Sequence, residues 1–263
     1  MGDLSRKNPT GRFTGLAASY AQYRPGYPPA ALDFILEHCG LTPRSLLVDV
    51  GCGTGISSRL FAERGLQVIG IEPNADMRSK AQAEHVLVGS PLPDYRDGKA
   101  EATGLPDGSV DAVIAAQAFH WFQPEAALVE FHRILKRGGW AALVWNERDE
   151  SDAFTAAYGA VIRTAPDTAA VEGPRSRAGE AILKSNLFTR RERVSFTNEQ
   201  VLDEEGVLGR AFSASYAPKD AEQAAAFAAS LRQVFRQFQK GNRVSLRYQT
   251  SVYVGRRADT RHG

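Results

Sequence analysis

The 263-residue chain reads as an α/β protein with a mostly parallel sheet. Three observations predict this. Short apolar runs alternate with amphipathic helical stretches. A glycine-rich turn directly follows the first run and opens a helix. The C-terminal stretch RVSLRYQTSVYVG alternates apolar and polar residues, as a half-buried antiparallel strand does.

The elements follow in order. In YAQYRPGYPPAALDFILEHCG, Pro28 and Pro29 suit a helix start. Leu32, Phe34, Ile35 and Cys39 give that helix an apolar face ending at Gly40. SLLVDV (45–50) is the first buried strand, and TGISSRLFAERG the helix after it, with Gly65 as its stop. LQVIGIE (66–72) is the second strand and NADMRSKAQA the second crossover helix. A third strand is expected near Tyr95–Asp97, in preference to Val86–Val88. VDAVIAAQA (110–118) is the fourth. A helix beginning at Pro124 runs towards a Gly138–Gly139 turn, and WAALVWN (140–146) is the fifth strand. Residues 149–187 read as helical and loop-rich. RRERVSFTN is the expected sixth strand. AEQAAAFAASLRQVFRQFQKG is a long helix with Phe227, Leu231, Val234, Phe235 and Phe238 on one face.

Composition bounds the function. The chain is 43% hydrophobic and 24% charged, ordinary for a globular protein. Its 32 basic and 30 acidic residues leave a net charge of +2, poor support for a surface that tracks phosphates. Two cysteines, Cys39 and Cys52, point away from a disulfide framework. No run approaches the roughly 18 apolar residues of a membrane span, and the N-terminus lacks the apolar core of a signal peptide. A cytoplasmic protein is expected. One domain over 17–257 is expected, with a helical cap at about 149–187, a flexible N-terminus (1–16) and a flexible tail (258–263).

The glycine loop DVGCGTG lies at the carboxyl end of a parallel strand, where such sheets bind ligands. Two ligand classes use such a loop. A dinucleotide asks for G-x-G-x-x-G, and Ile56 stands where its third glycine belongs. S-Adenosylmethionine is suited by D-x-G-x-G-x-G, which Asp49–Gly55 matches throughout. A glycine-rich turn without a ligand is the plain alternative. Glu72 ends the second strand, and Pro73 biases it towards extended backbone. A carboxylate there can accept both ribose hydroxyls of an adenosine.

With these residues in register, the chain resembles the class I S-adenosylmethionine-dependent methyltransferases of the type-11 small-molecule group, which includes trans-aconitate and quinone-precursor methyltransferases. The similar blocks are YAQYRPGYP, VDVGCGTG, GIEPNADM, GKAEATGLPDGSVDAVIAAQAFHWF, FHRILKRGGWAALVWN and VSLRYQTSVYVGRR. The resemblance implies a Rossmann-like seven-stranded sheet of order 3-2-1-4-5-7-6, with its last strand antiparallel and helices on both faces. It implies S-adenosylmethionine as cofactor, a small-molecule methyl acceptor, and no nucleic-acid or membrane partner. It places Gly51 and Gly53 under the methionine moiety, with Asp49 near its amino group. Glu72 would bind the ribose, and Pro73 and Met77 would pack on the adenine, whose edge Ala100 and Glu101 would border. Gln117 and Ala118 would face the sulfonium. Tyr20, Tyr23 and Arg24 precede the first expected helix, in a segment this family folds over the cofactor. Arg24 would pair with the methionine carboxylate, Tyr20 would also bind the cofactor, and Tyr23 would line the acceptor pocket.

His120 and Trp121 follow the fourth strand and should border the transferred methyl. His120 is the candidate general base, with an ordinary pKa near neutrality. Packing beneath the next helix is the alternative for both. No metal site is expected, because His38, His85, His132 and His262 form no ligand spacing. Arg163, Arg175 and Arg177 in the cap would favour an acidic acceptor. A binding protein without transferase activity and a nicotinamide-dependent oxidoreductase remain the rival readings. Gln117-Ala118-Phe119-His120 occupies the place where amino-methylating nucleic-acid enzymes of the superfamily carry a D/N-P-P-Y/F segment.

Overall fold

The computed structural model describes residues 15–166, 168–169 and 178–259. Arg175 and Arg177 lie outside the described residues, as do most of the ends expected to be flexible. Seven strands form one sheet in the order β3-β2-β1-β4-β5-β7-β6. They are β1 (Leu46–Val50), β2 (Gln67–Ile71), β3 (Asp94–Arg96), β4 (Val110–Ala116), β5 (Leu135–Arg148), β6 (Phe188–Leu202) and β7 (Val244–Arg257). The first five pair in parallel, and β7 runs antiparallel to both β5 and β6.

Side-chain alternation along β1 sets the two layers. Val48 and Val50 join Ala127, Phe131 and Ile134 on one face of the sheet. Leu47 joins Ile35, Phe61 and Leu66 on the other. Helices α2 (Pro29–His38), α3 (Ile56–Ala62) and α5 (Pro124–Ile134) supply those partners, except Leu66, which lies just before β2. Proline at the first helical turn starts α2 and α5, where its missing N–H costs nothing. The helix after β2, α4 (Ala75–Ala83), starts where Asn74 accepts the Met77 N–H at 3.0 Å.

A second cluster lies over the carboxyl end of the sheet. It joins α6 (Ala153–Ile162), α8 (Glu204–Phe212) and α9 (Ala221–Phe238) through Phe154, Tyr158, Val207, Leu231 and Phe235. A short α7 (Glu180–Lys184) packs Ile182 against the main core. None of the described helices is long and apolar enough to cross a membrane.

Some boundaries differ from the sequence-based expectation. Strand β3 begins one residue early, at Asp94, because its pairing register sets Tyr95 opposite Gly70. Helix α5 stops at Ile134, and Leu135 already pairs with Val110 in β5. Strand β6 is longer than the expected 190–198, since β7 offers it a partner almost throughout. Tyr20 and Tyr23 do not precede the first helix. They sit on a helix of their own, α1 (Ala17–Tyr23), which has no buried residue.

Candidate functional site

A cavity opens at the carboxyl ends of β1, β2 and β4. Its empty space is about 680 Å³ including the solvent-open mouth, enough for a nucleoside-sized molecule. Its floor is the glycine loop. Gly51 has φ +69, and a side chain there would put Cβ 2.7 Å from Ala118 Cβ and 2.9 Å from the Phe122 ring. Gly53 has φ +56 and faces open space, so its backbone is bare to the cavity. Both conformations are costly for any residue with a Cβ.

Glu72 forms the wall adjoining that floor. It is 9% exposed and reaches the cavity from the end of β2. Its Oε2 accepts the Gly53 N–H at 3.0 Å and its Oε1 accepts the Asn74 N–H at 2.9 Å. Burial pushes its carboxyl pKa up, while those two N–H groups and the nearby Arg78 oppose the shift. Each oxygen keeps a further lone pair for a ligand. Arg78 donates to the Glu72 carbonyl at 2.6 Å and to Asp97 at 2.8 Å, tying this corner to the loop after β3.

Asp49 stands elsewhere than expected. It is fully buried beneath the loop and does not line the cavity. Its Oδ2 accepts the hydroxyls of Ser57 at 2.6 Å and Ser58 at 2.7 Å. Even-numbered β1 residues face the α5 layer, so Asp49 points at α3 and holds it. Burial raises its pKa to about 6 against the pull of the two serines. Cys52 is buried in the loop, and desolvation drives its thiol pKa well up, so it is a space-filling group and not a nucleophile.

The third wall comes from the end of β4. Gln117 adopts φ +59, a sparsely populated region for a residue with a side chain. Its N–H donates to Val144 O at 2.8 Å and its Nε2 to Asn146 O at 3.2 Å, which hold it there. A 3₁₀ turn over Phe119–Trp121 follows. Trp121 and Phe122 line the cavity, and Trp121 also packs on the cap cluster.

Nine expected residues therefore meet at one cavity: Tyr20, Gly51, Gly53, Glu72, Pro73, Met77, Gln117, Ala118 and Trp121. The others stand off its lining. Arg24 stacks 4.6 Å over the Tyr20 ring and donates to Ser213 O at 3.2 Å. Tyr23 donates to Glu205 at 3.2 Å and packs on Gly209. Its pocket-lining role is thus replaced by contact with α8. Ala100 is buried in the main core, and Glu101 accepts the Gln123 N–H at 2.7 Å. His120 sits with its ring 4.8 Å from Trp121, outside the lining itself.

Sequence reasoning missed Tyr27, Cys52, Thr54, Ile56, Ser57, Ala116 and Phe122 as lining residues. Four of these, Cys52, Thr54, Ile56 and Ser57, lie in or just after the glycine loop, where a ligand over the loop would meet them. Thr54 is 1% exposed, and its Oγ1 has no hydrogen-bond partner among the described residues. A buried hydroxyl at a cavity wall calls for a polar ligand atom or water. Among the described residues no group of three or more His, Cys, Asp and Glu could hold a metal ion.

Residues 48–143 match the family model described as a methyltransferase domain. The chain is 36% identical over 158 residues to an uncharacterized methyltransferase of Mycobacterium tuberculosis, covering 60% of this chain and 61% of that one. It is 35% identical over 135 residues to an uncharacterized methyltransferase of Schizosaccharomyces pombe, covering 51% and 52%. The matches thus span about three fifths or less of these curated relatives' own length. A solved structure of a candidate type II methyltransferase from Anaeromyxobacter dehalogenans is 26% identical. It covers 89% of this chain and 98% of its own, with a TM-score of 0.63.

Proposed function

We infer that this chain, whose residues 48–143 match a methyltransferase domain on the class I sheet, is an S-adenosylmethionine-dependent methyltransferase acting on a small organic molecule. One observation carries the reading. The Glu72 carboxylate is held at the cavity by two backbone N–H groups, one of them from Gly53, which carries no side chain into the cavity. That is a preformed acceptor pair for a vicinal diol beside a glycine whose φ of +56 keeps the cavity free of a side chain.

The fit extends to the other residues. Pro73 and Met77 give the adenine an apolar, adaptable face, and Ala100 and Glu101 would meet its edge from the loop beyond. Gly51, Gly53 and the unpartnered Thr54 hydroxyl suit the methionine end. Asp49 serves this end indirectly, by fixing Ser57, which lines the cavity. Arg24 braces Tyr20 against it. S-Adenosylmethionine, when bound, supplies a methyl group on a sulfonium, an electrophile that loses its charge as the methyl leaves.

The chain's own task is alignment and dryness. Trp121, Phe122, Ala116 and Tyr27 make the acceptor side apolar, which favours loss of a cation. The acceptor nucleophile forms its bond to the methyl carbon as the carbon–sulfur bond breaks, and the electron pair stays on sulfur. His120, on the 3₁₀ turn beside the lining residue Trp121, would be the base for an acceptor that starts protonated. Ile56 occupies the place of a dinucleotide loop's third glycine and lines the cavity.

Calorimetric titration with S-adenosylmethionine and with NADH tests the reading. Saturable binding of the first, weakened about tenfold or more in Glu72→Ala, is expected. Binding of NADH alone, or an unaffected Glu72→Ala variant, would overturn it.

A further inference from the structure

Asn146 ends the inner part of β5 and is 4% exposed. Its side chain joins segments far apart in the chain. Nδ2 donates to the Gly26 carbonyl at 3.0 Å. Oδ1 accepts the Thr250 hydroxyl at 2.6 Å and the Asn198 Nδ2 at 3.3 Å. That same Asn198 nitrogen donates to Gly26 O at 3.1 Å, so two amides converge on one carbonyl. The Asn146 backbone carbonyl faces the other way and accepts Gln117 Nε2 at 3.2 Å.

One residue thereby touches two cavity walls. Gly26 is covalently joined to Tyr27, which lines the cavity from the N-terminal segment. Gln117 lines it from the end of β4 in a backbone conformation that needs external support. We propose that Asn146 is a positioning residue that sets these two walls against each other and so defines the cavity's width. The inference rests on the cofactor reading for its binding measurement only.

The residue type is demanded by the partners. The site needs an acceptor for a hydroxyl and a donor for a carbonyl within one short side chain. Aspartate lacks the donor and would set a carboxylate against the Gly26 carbonyl. An apolar residue leaves the buried Thr250 hydroxyl without its acceptor and takes from the Gly26 carbonyl one of its two donors. Thr250 is fully buried in the middle of β7. The Gly26 carbonyl can only accept, so it fixes which end of the Asn146 amide faces it and leaves Oδ1 for the Thr250 hydroxyl.

Three variants are compared with wild type: Asn146→Asp, the near-isosteric Thr250→Val, and Asp220→Ala, which lowers stability through the distant cap of α9. Hydrogen exchange of peptides covering residues 17–32 is measured without ligand, and binding of S-adenosylmethionine by calorimetry. Asn146→Asp is expected to speed exchange in residues 17–32 and weaken binding, each about tenfold. Thr250→Val should act in the same direction but less, and Asp220→Ala should do neither. The proposal fails if the folded Asn146→Asp and Thr250→Val variants exchange as wild type does in that segment. It also fails if they speed exchange across the whole sheet equally. If wild type does not bind S-adenosylmethionine, yet Asn146→Asp still frees residues 17–32, the cofactor reading falls and the positioning role stands.

Discussion

Gly51 leaves no room for even a methyl group. Alanine there would meet Ala118 and Phe122 inside contact distance and keep a left-handed φ of +69. The expected cost of Gly51→Ala is about 1–3 kcal/mol, from overpacking and backbone strain together. Gly53→Ala carries the strain alone, because its Cβ meets open space. It should cost about 1 kcal/mol yet still weaken ligand binding, since the methyl would stand in the cavity. Urea unfolding of the two variants separates the terms, and equal losses would count against the contact with Ala118 and Phe122. Asp49 supports a pH prediction. Its folded pKa of about 6 lies above the ordinary 3.8, so the fold favours the protonated form. That stabilisation is complete below about pH 4 and is lost as pH rises through about 6, with a ceiling on the order of 3 kcal/mol. The substitution Asp49→Asn would keep the acceptor for Ser57 and Ser58 and place an amide nitrogen where Oδ1 has no partner. Urea unfolding between pH 4 and 7 should show a smaller fall in Asp49→Asn than in wild type, and parallel profiles would refute the burial effect. The loop glycines and Glu72 were legible because their chemistry sits in contiguous motifs. Tyr27, Phe122 and Asn146 were not, since they meet only through sheet order. Tyr23 and Arg24 were misread because their partners, Glu205 and Ser213, lie more than 180 residues away.

At the scale of elements, pattern length decided what could be read. Helix α9 shows a five-residue apolar stripe over about three turns, and the structure buries Phe227, Leu231 and Phe235 from it. Such a signal survives any uncertainty at its ends. Strand β3 has three residues with only Tyr95 buried, too short for a period to declare itself. Helix α1 buries none of its seven residues fully, so its sequence has no core-facing stripe to find. Helix α9 also ties the cap together, because Leu231 is fully buried among Phe154, Tyr158 and Leu246. Leu231→Ala should therefore cost about 2–5 kcal/mol. Asp220→Ala, which removes the acceptor for the Gln223 N–H at 3.0 Å, should cost about 1 kcal/mol. Chemical denaturation of each variant checks both values. A Leu231→Ala loss as small as the cap's would mean that the cap cluster relaxes around the cavity.

The whole molecule couples the cavity to the fold. Its walls come from β1, β2, β4 and the segment before α2, so a ligand bound there touches elements from both layers of the sheet. None of these walls exists in the unfolded chain, and ligand binding must then stabilise the native state by mass action. At a free concentration about 100 times its dissociation constant, S-adenosylmethionine should add about 2.7 kcal/mol. For a chain of this size each kcal/mol moves the thermal midpoint by about 2–4 °C, so a rise of about 5–10 °C is expected. NADH at the same concentration should leave the midpoint in place, because Ile56 narrows the loop where a pyrophosphate would lie. Differential scanning fluorimetry across a concentration series of each ligand makes the comparison. At the same concentration the rise should be about half as large in Glu72→Ala, because a tenfold loss of affinity removes about 1.4 kcal/mol of the stabilisation while the sheet stays intact. A shift of equal size in both proteins would mean that the ligand binds elsewhere on the molecule.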